Sequence, residues 1–214
     1  MKRILIFNAE NRIALALCRE FARKGFIVDM ASDALLPRGF YSKYCGARIR
    51  YKEGALDNII TYIEKMKPDI ILPVLENSYL IAYTLADMGV KGIVTLPPYE
   101  LFMTMRDKEN SMRLLRSQGL RVPPTYQVNE FINKYQDLKE TKKRPRFLIK
   151  PRISGGGRGI VPFEGIEGFN RAYNIYQKQE KESKINFSGC DLGRPIIQEY
   201  IEGEDYTLYL IFNN

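Results

Sequence analysis

Phe147-Leu-Ile-Lys-Pro-Arg-Ile-Ser-Gly-Gly-Gly-Arg-Gly-Ile160 is the stretch from which the rest of the chain can be read. An apolar strand, Phe147 to Ile149, ends on Lys150. A turn holding Gly155, Gly156, Gly157 and Gly159 follows, and a second apolar run begins at Ile160. Glycine accepts backbone angles closed to other residues, so successive N–H groups can turn inward and form an anion-binding concavity. The missing Cβ atoms also let a phosphate chain approach. Lys150 at the edge and Arg158 within the turn supply positive charge. On these residues alone two readings stand, a flexible hairpin between two strands and a phosphate clamp. No G-x-x-x-x-G-K-[ST] and no strand-GxGxxG-helix fingerprint occurs, so neither a P-loop nor a dinucleotide turn accounts for it.

With 214 residues the chain can bury one large core or two small ones. Its 45% hydrophobic and 27% charged content is ordinary for a soluble globular protein. A formal charge of +8 favours anionic ligands, but the 33 Lys and Arg residues are spread along the chain. The densest cluster, Lys142-Lys143-Arg144-Pro-Arg146, reads as a solvated turn before a strand, and no aromatic-interleaved basic motif is present. Nucleic acid is therefore not an expected partner. Cys18, Cys45 and Cys190 form no CxxC pair, and Cys18 falls on a helix face as a buried thiol would, which suits a reduced, cytoplasmic protein. The apolar run Ile4 to Phe7 is too short for a signal peptide, and no span approaches a transmembrane helix. Histidine is absent, which removes Ser-His and Cys-His nucleophile systems, His-ligated zinc and His-mediated proton transfer. Chemistry is left to Lys, Arg, carboxylates, backbone groups and bound metal.

Taken in order, the first hundred residues alternate strand and helix. Arg3 to Phe7 is a buried-type strand, and Arg12 to Lys24 a helix with Ile13, Leu17 and Phe21 on one face. Phe26 to Ala31 is the next strand. The turn between them, Asn8-Ala-Glu-Asn11, lacks the glycines of a dinucleotide site. Strands follow at Ala47 to Tyr51, Asp69 to Val74 and Ile93 to Leu96, with helices at Leu56 to Met66 and Asn77 to Met88. This predicts an open parallel sheet covered on both faces. Glu76, Asn77 and Ser78 follow a strand's carboxyl end, where they read equally as ligand contacts and as helix caps. Asp107 is a candidate N-cap for a helix running to Arg116. Beyond Pro123-Pro124 the parallel alternation stops. Phe131, Tyr135 and Leu138 mark one amphipathic helix, and Phe169, Tyr173 and Tyr176 another over Glu167 to Lys181. A different pattern begins at Tyr126 to Val128, strands are expected at Pro195 to Glu199 and Tyr206 to Phe212, and a surface loop at Glu182 to Arg194.

Three separated pieces, Asp107-Lys108, the Lys150 to Gly159 loop, and Ile196-Ile-Gln-Glu-Tyr-Ile-Glu-Gly-Glu-Asp-Tyr-Thr207, resemble in that order the ATP-grasp superfamily. The Gly-Gly-Gly-Arg-Gly-Ile segment is most similar to the loops of biotin carboxylase and of the carbamoyl-phosphate synthetase large subunit. The resemblance implies an α/β fold: a Rossmann-like parallel-sheet pre-ATP-grasp domain at 1–98, a helical connection at 99–122, and an incomplete α+β ATP-grasp domain at 123–214. It implies the ATP-binding portion of a ligase that joins a small carboxylate to an amine or ammonia through an acyl-phosphate. Lys108 would contact the phosphates, and Lys150 an α-phosphate oxygen and adenine N7. Ser154, Gly155, Gly156, Gly157, Arg158 and Gly159 would fold over the β- and γ-phosphates. Gln198 would approach the adenine amino group, the backbones of Glu199 and Ile201 would bond the adenine edge, and Asp205 would hold the ribose hydroxyls. Taken singly, Lys108 and Asp205 also read as solvated surface charges.

The chain departs from the family pattern at its end. The resemblance places the magnesium-binding carboxylates and asparagine beyond the ribose-binding residue, and Phe212-Asn213-Asn214 does not replace them. The expectation is a metal-binding part outside this sequence, in a longer polypeptide or a second chain, with this chain inactive alone. A homodimer is the other expected assembly. The alternative function is a non-catalytic nucleotide sensor or subunit completed by a separate chain.

Overall fold

The computed structural model describes residues 1–52, 54–94, 96–135, 145–183, 194–204 and 206. Expected features at Leu138, Lys142 to Arg144, Cys190, Asp205 and the strand from 207 onward fall outside these. The chain divides into two compact units, Met1–Tyr99 and Glu100–Asn214.

In the first unit, β1 (Arg3–Ile6), β2 (Ile27–Ser32), β3 (Arg48–Arg50) and β4 (Ile70–Leu72) form a wholly parallel sheet of order β3-β2-β1-β4. Helices α1 (Arg12–Arg23), α2 (Asp57–Met66) and α3 (Glu76–Asp87) accompany it, with a 3-10 turn at Arg38–Tyr41. Ile4, Leu5 and Ile6 are all fully buried, because successive side chains enter different cores. Ile4 and Ile6 join Ala14 and Cys18 of α1, whereas Leu5 joins Ile59 and Tyr62 of α2 and Leu85 of α3. The α1 face is shifted from expectation. Ala14 and Cys18 are buried with Leu17 and Phe21 beside them, an i, i+3, i+4, i+7 stripe, and Ile13 is 56% exposed in the first turn.

Of the fifth strand expected at 93–96, in which residue 95 is outside the described residues, the described part forms a single parallel bridge from Ile93 to Ile71. Gly92 leads into it at φ +82°, and a Cβ there would meet Asp69 O at 2.8 Å, so the chain approaches β4 where only glycine fits. The buried Asp29 carboxylate ties this unit together. It accepts from the Arg3 guanidinium, the Tyr62 hydroxyl and, at 2.6 Å, the Ala47 N–H. At the carboxyl end of β4, Ser78 Oγ accepts from Val74 N at 2.9 Å, and Asn77 Oδ1 accepts from Ser78 N and Asn8 Nδ2. These are capping bonds at the start of α3.

Helix α4 (Tyr99–Arg106) begins at the division. The second unit then runs α5 (Lys108–Ser117), β5 (Thr125–Gln127), α6 (Val128–Tyr135), β6 (Arg146–Lys150), β7 (Val161–Glu164), α7 (Gly165–Ser183) and β8 (Ile196–Glu199). Its sheet is antiparallel, of order β5-β8-β6-β7. Strand alternation sorts the residues into two faces. Phe147, Ile149, Val161, Phe163 and Ile197 pack under Phe131 of α6 and Phe169, Ala172 and Tyr176 of α7. Arg146, Leu148, Lys150, Pro162, Glu164 and Gln198 stand on the other face, in register through Leu148 opposite both Gln198 and Pro162. One side of the sheet is a core, and the other carries polar chemistry.

Candidate functional site

β6 and β7 run antiparallel out to Ile149↔Val161, and the chain between them makes the glycine turn. Gly156, Gly157 and Gly159 have φ of +63°, +74° and +72°, angles at which an L side chain is strained. A Cβ on Gly155, Gly156 or Gly157 would meet nothing within 4 Å, so backbone angle, and not space, calls for glycine at the middle two. The turn is held loosely, by Arg158 N–H to Gly155 O and Ile160 N–H to Gly157 O, both at 3.4 Å. Among the described residues, the N–H groups of Gly155, Gly156, Gly157 and Gly159 donate to no protein acceptor. Ser154 and Gly159 are half-buried, and Gly155 to Arg158 are exposed.

Lys150 ends β6 on the open sheet face. Its ammonium donates to Gln198 Oε1 at 2.6 Å, and Gln198 Nε2 donates to Thr125 Oγ1 at 3.0 Å. Gln198 is buried. Burial pushes the Lys150 ammonium below the ordinary lysine range, because a half-buried cation has lost part of its hydration. An anion beside it would reverse that cost. Two strands have thus been brought together so that Lys150 and Gln198, 48 positions apart, touch.

Lys108 reaches the same loop from α5. Its ammonium donates to Ser154 O at 2.7 Å and Ser154 Oγ at 3.1 Å, and its backbone N–H donates to Arg152 O at 2.9 Å. Asp107 is the N-cap of α5, accepting from Glu109 N and Asn110 N. Its carboxyl lies below the usual range: burial pushes it up, but the Arg152 guanidinium and the capping N–H groups outweigh that. Arg152, which the sequence reading passed over, donates from Nε and NH2 to Asp107 and from NH1 to Glu109 Oε2 at 2.9 Å.

The segment after β8 is partly engaged. Glu199 N–H donates to Pro124 O at 2.9 Å and Tyr200 N–H to Arg146 O at 2.8 Å. Among the described residues Ile201 N–H donates to nothing, and its side chain is exposed. The Arg146 guanidinium lies 4.1 Å over the Tyr200 ring, beside a cleft of about 290 Å³ lined also by Leu148, Pro162 and Glu164. Lys108 and Ser154 form one set of contacts and Lys150, Gln198 and Thr125 another, and both lie on the chain leading into the turn from Gly155 to Gly159 or on elements bonded to it. Glu199 and Ile201 lie where β8 ends, and Asp205 is outside the described residues. No three Cys, Asp or Glu side chains cluster as a metal site among the described residues. No helix among them is long and apolar enough to cross a membrane.

Comparison with curated proteins finds no match. Among solved structures, the chain superposes on N5-carboxyaminoimidazole synthetase from Staphylococcus aureus, solved with ADP, at TM-score 0.64 and 17% identity, covering 94% of this chain and 48% of that one. The biotin carboxylase domain of 2-oxoglutarate carboxylase from Hydrogenobacter thermophilus, solved with MgADP and bicarbonate, gives TM-score 0.65 and 20% identity over 94% of this chain and 44% of that one. L-amino acid ligase from Bacillus licheniformis gives 0.61 and 14%, over 93% and 46%. These likenesses show a shared fold, and the chain spans about half the length of the structures it matches. The profile of the ATP-grasp domain matches residues 105–214, just over half of the sequence, and the whole Lys108, Lys150 and glycine-turn constellation lies inside that match. The chain belongs to the ATP-grasp domain family.

Proposed function

We propose that this chain is the ATP-binding portion of an ATP-dependent carboxylate–amine or carboxylate–ammonia ligase working through an acyl-phosphate, as carbamoyl-phosphate synthetase does. The carrying observation is that Lys108 of α5 donates to Ser154 at the foot of a glycine turn whose amides donate to no protein group among the described residues, while Lys150, at the end of the strand that leads into that turn, is held by Gln198. In this reading Lys108 contacts the phosphates and the turn from Ser154 to Gly159 folds over the β- and γ-phosphates, with Arg158 adding charge. Lys150 holds an α-phosphate oxygen and adenine N7. Gln198 meets the adenine amino group, and Leu148 on the same sheet face offers it apolar surface. With its N–H committed to Pro124, Glu199 can read the adenine edge only through its carbonyl, leaving Ile201 as the amide donor. Asp205 holds the ribose hydroxyls.

A carboxylate oxygen of the substrate attacks the γ-phosphorus in line, and ADP leaves. An amine or ammonia then attacks the acyl carbon, and inorganic phosphate leaves. What the protein supplies is positive charge and N–H groups aimed at the phosphoryl oxygens. No protein nucleophile enters, in keeping with a chain that has no histidine. Magnesium belongs with such chemistry, but the described residues form no carboxylate cluster fit to hold it, so no step here runs through the ion. Calorimetry with ADP and magnesium on the chain and on Lys150→Ala tests the reading. Binding that the substitution weakens is expected; no binding, or binding it leaves untouched, overturns it.

A further inference from the structure

We propose that Arg152 is a positioning residue that sets Lys108 against the glycine turn, a role resting on the nucleotide reading above. Lys108 sits between two carboxylates, Asp107 and Glu109, an awkward place for a group that is to meet phosphate. Arg152 answers that awkwardness in two ways. Its guanidinium takes Asp107 with Nε and NH2, at 2.9 and 2.5 Å to Oδ2, and Glu109 with NH1 at 2.9 Å, so both acids are engaged by a counter-charge other than the lysine. Its carbonyl accepts the Lys108 N–H at 2.9 Å, which ties the root of the lysine stem to the root of the glycine turn. Glu109 also has Arg113 as a counter-charge, so Asp107 is the acid that depends on Arg152; without it that carboxylate would keep only its two capping N–H groups, next to Lys108.

The clamp is well buried for a set of charges, with side-chain exposures of 22% for Arg152, 13% for Asp107 and 12% for Glu109. Glu109 is held further, by Arg113 at 2.9 Å and Gln127 Nε2 at 2.8 Å. Only a planar fork can serve both acids at once; an ammonium is a single point charge and cannot span them in this geometry. Nothing in this places Arg152 on the nucleotide. It acts through Lys108.

The test is a double-mutant cycle read on two ligands. Arg152→Lys is expected to weaken ADP, measured by calorimetry, by about tenfold, while adenosine, followed by ligand-observed NMR titration, stays within about twofold. Lys108→Met should cost about tenfold in ADP affinity in the wild-type chain and almost nothing in the Arg152→Lys background, because the lysine is already misplaced. Equal losses for ADP and adenosine, or additive losses in the cycle, would overturn the proposal by making Arg152 a general structural group. Should Arg152→Lys lose its fold by circular dichroism, Glu109→Gln opens the same clamp and is judged by the same two ligands. A wild-type chain that binds no ADP defeats the nucleotide reading itself; wild-type binding that Arg152→Lys leaves unchanged defeats only this inference.

Discussion

Replacing Lys150 by Met separates a functional lysine from a structural one. The side chain is half-buried, its one bond to a described residue is to Gln198 Oε1, and burial depresses its pKa. Removing the bond costs about 1–1.5 kcal/mol and relief of the half-buried charge works in the opposite direction, so the net loss of stability should stay under about 1.5 kcal/mol. Gln198 keeps its bond to Thr125 Oγ1 and is not orphaned. Nucleotide binding should behave differently. A charge-assisted hydrogen bond to phosphate contributes about 2–3 kcal/mol, so ADP affinity should fall by roughly 30- to 150-fold.

The sign of the pH dependence follows from the depressed pKa. Between the folded-state value and 10.5 the unfolded chain holds more protons at this site, so wild-type stability gains an increment as pH rises through that window, and the Met variant lacks it. Urea titrations near pH 7 and pH 10 measure one effect, and calorimetry with ADP the other. A variant that loses more than about 2 kcal/mol while binding ADP as before would refute the reasoning, because Lys150 would then be a structural residue.

Phe131 is fully buried, with ring centroids of Tyr135, Phe147, Phe169 and Phe163 at 4.7, 5.0, 5.4 and 5.6 Å; Phe131→Ala should cost about 3–5 kcal/mol in a urea titration, and a loss under about 1 would contradict the packing. Asp29→Asn leaves the Arg3 guanidinium without its counter-charge in the first unit and should cost about 3–5 kcal/mol, read from the same transition. Asp107→Asn keeps an N-cap but loses the Arg152 ion pair. Loss of that ion pair should cost about 1–2 kcal/mol near neutral pH; because the Asp107 pKa is lowered in the fold, the wild-type advantage is fully present above the ordinary aspartate value of 3.8 and is lost as pH falls through the lowered folded-state value, in paired acid titrations.

What could be read from the sequence was local. The glycine turn and the strands on either side of it are announced by composition over fourteen consecutive positions, from Phe147 to Ile160, and the order of strands and helices in the first unit follows from apolar runs and breakers. Errors arose where the partner decided. Ile13 has the right spacing for a core face, but the sheet meets α1 along Ala14, Leu17, Cys18 and Phe21 instead. The run at 93–96 has strand composition, yet after Gly92 and the close pass over Asp69 its described residues pair with β4 through a single bridge at Ile93. Arg152 was missed because its partners lie 45 and 43 positions away, beyond any periodic signal. A signal for it did exist, of an electrostatic kind. Lys108 stands in an Asp-Lys-Glu triplet; Glu109 finds a counter-charge one helical turn on in Arg113, which leaves Asp107 to be balanced by a cation from elsewhere in the chain if the lysine is to meet phosphate. The arginine two residues past Lys150, at the foot of the loop that Lys108 must reach, is the cation that requirement points to.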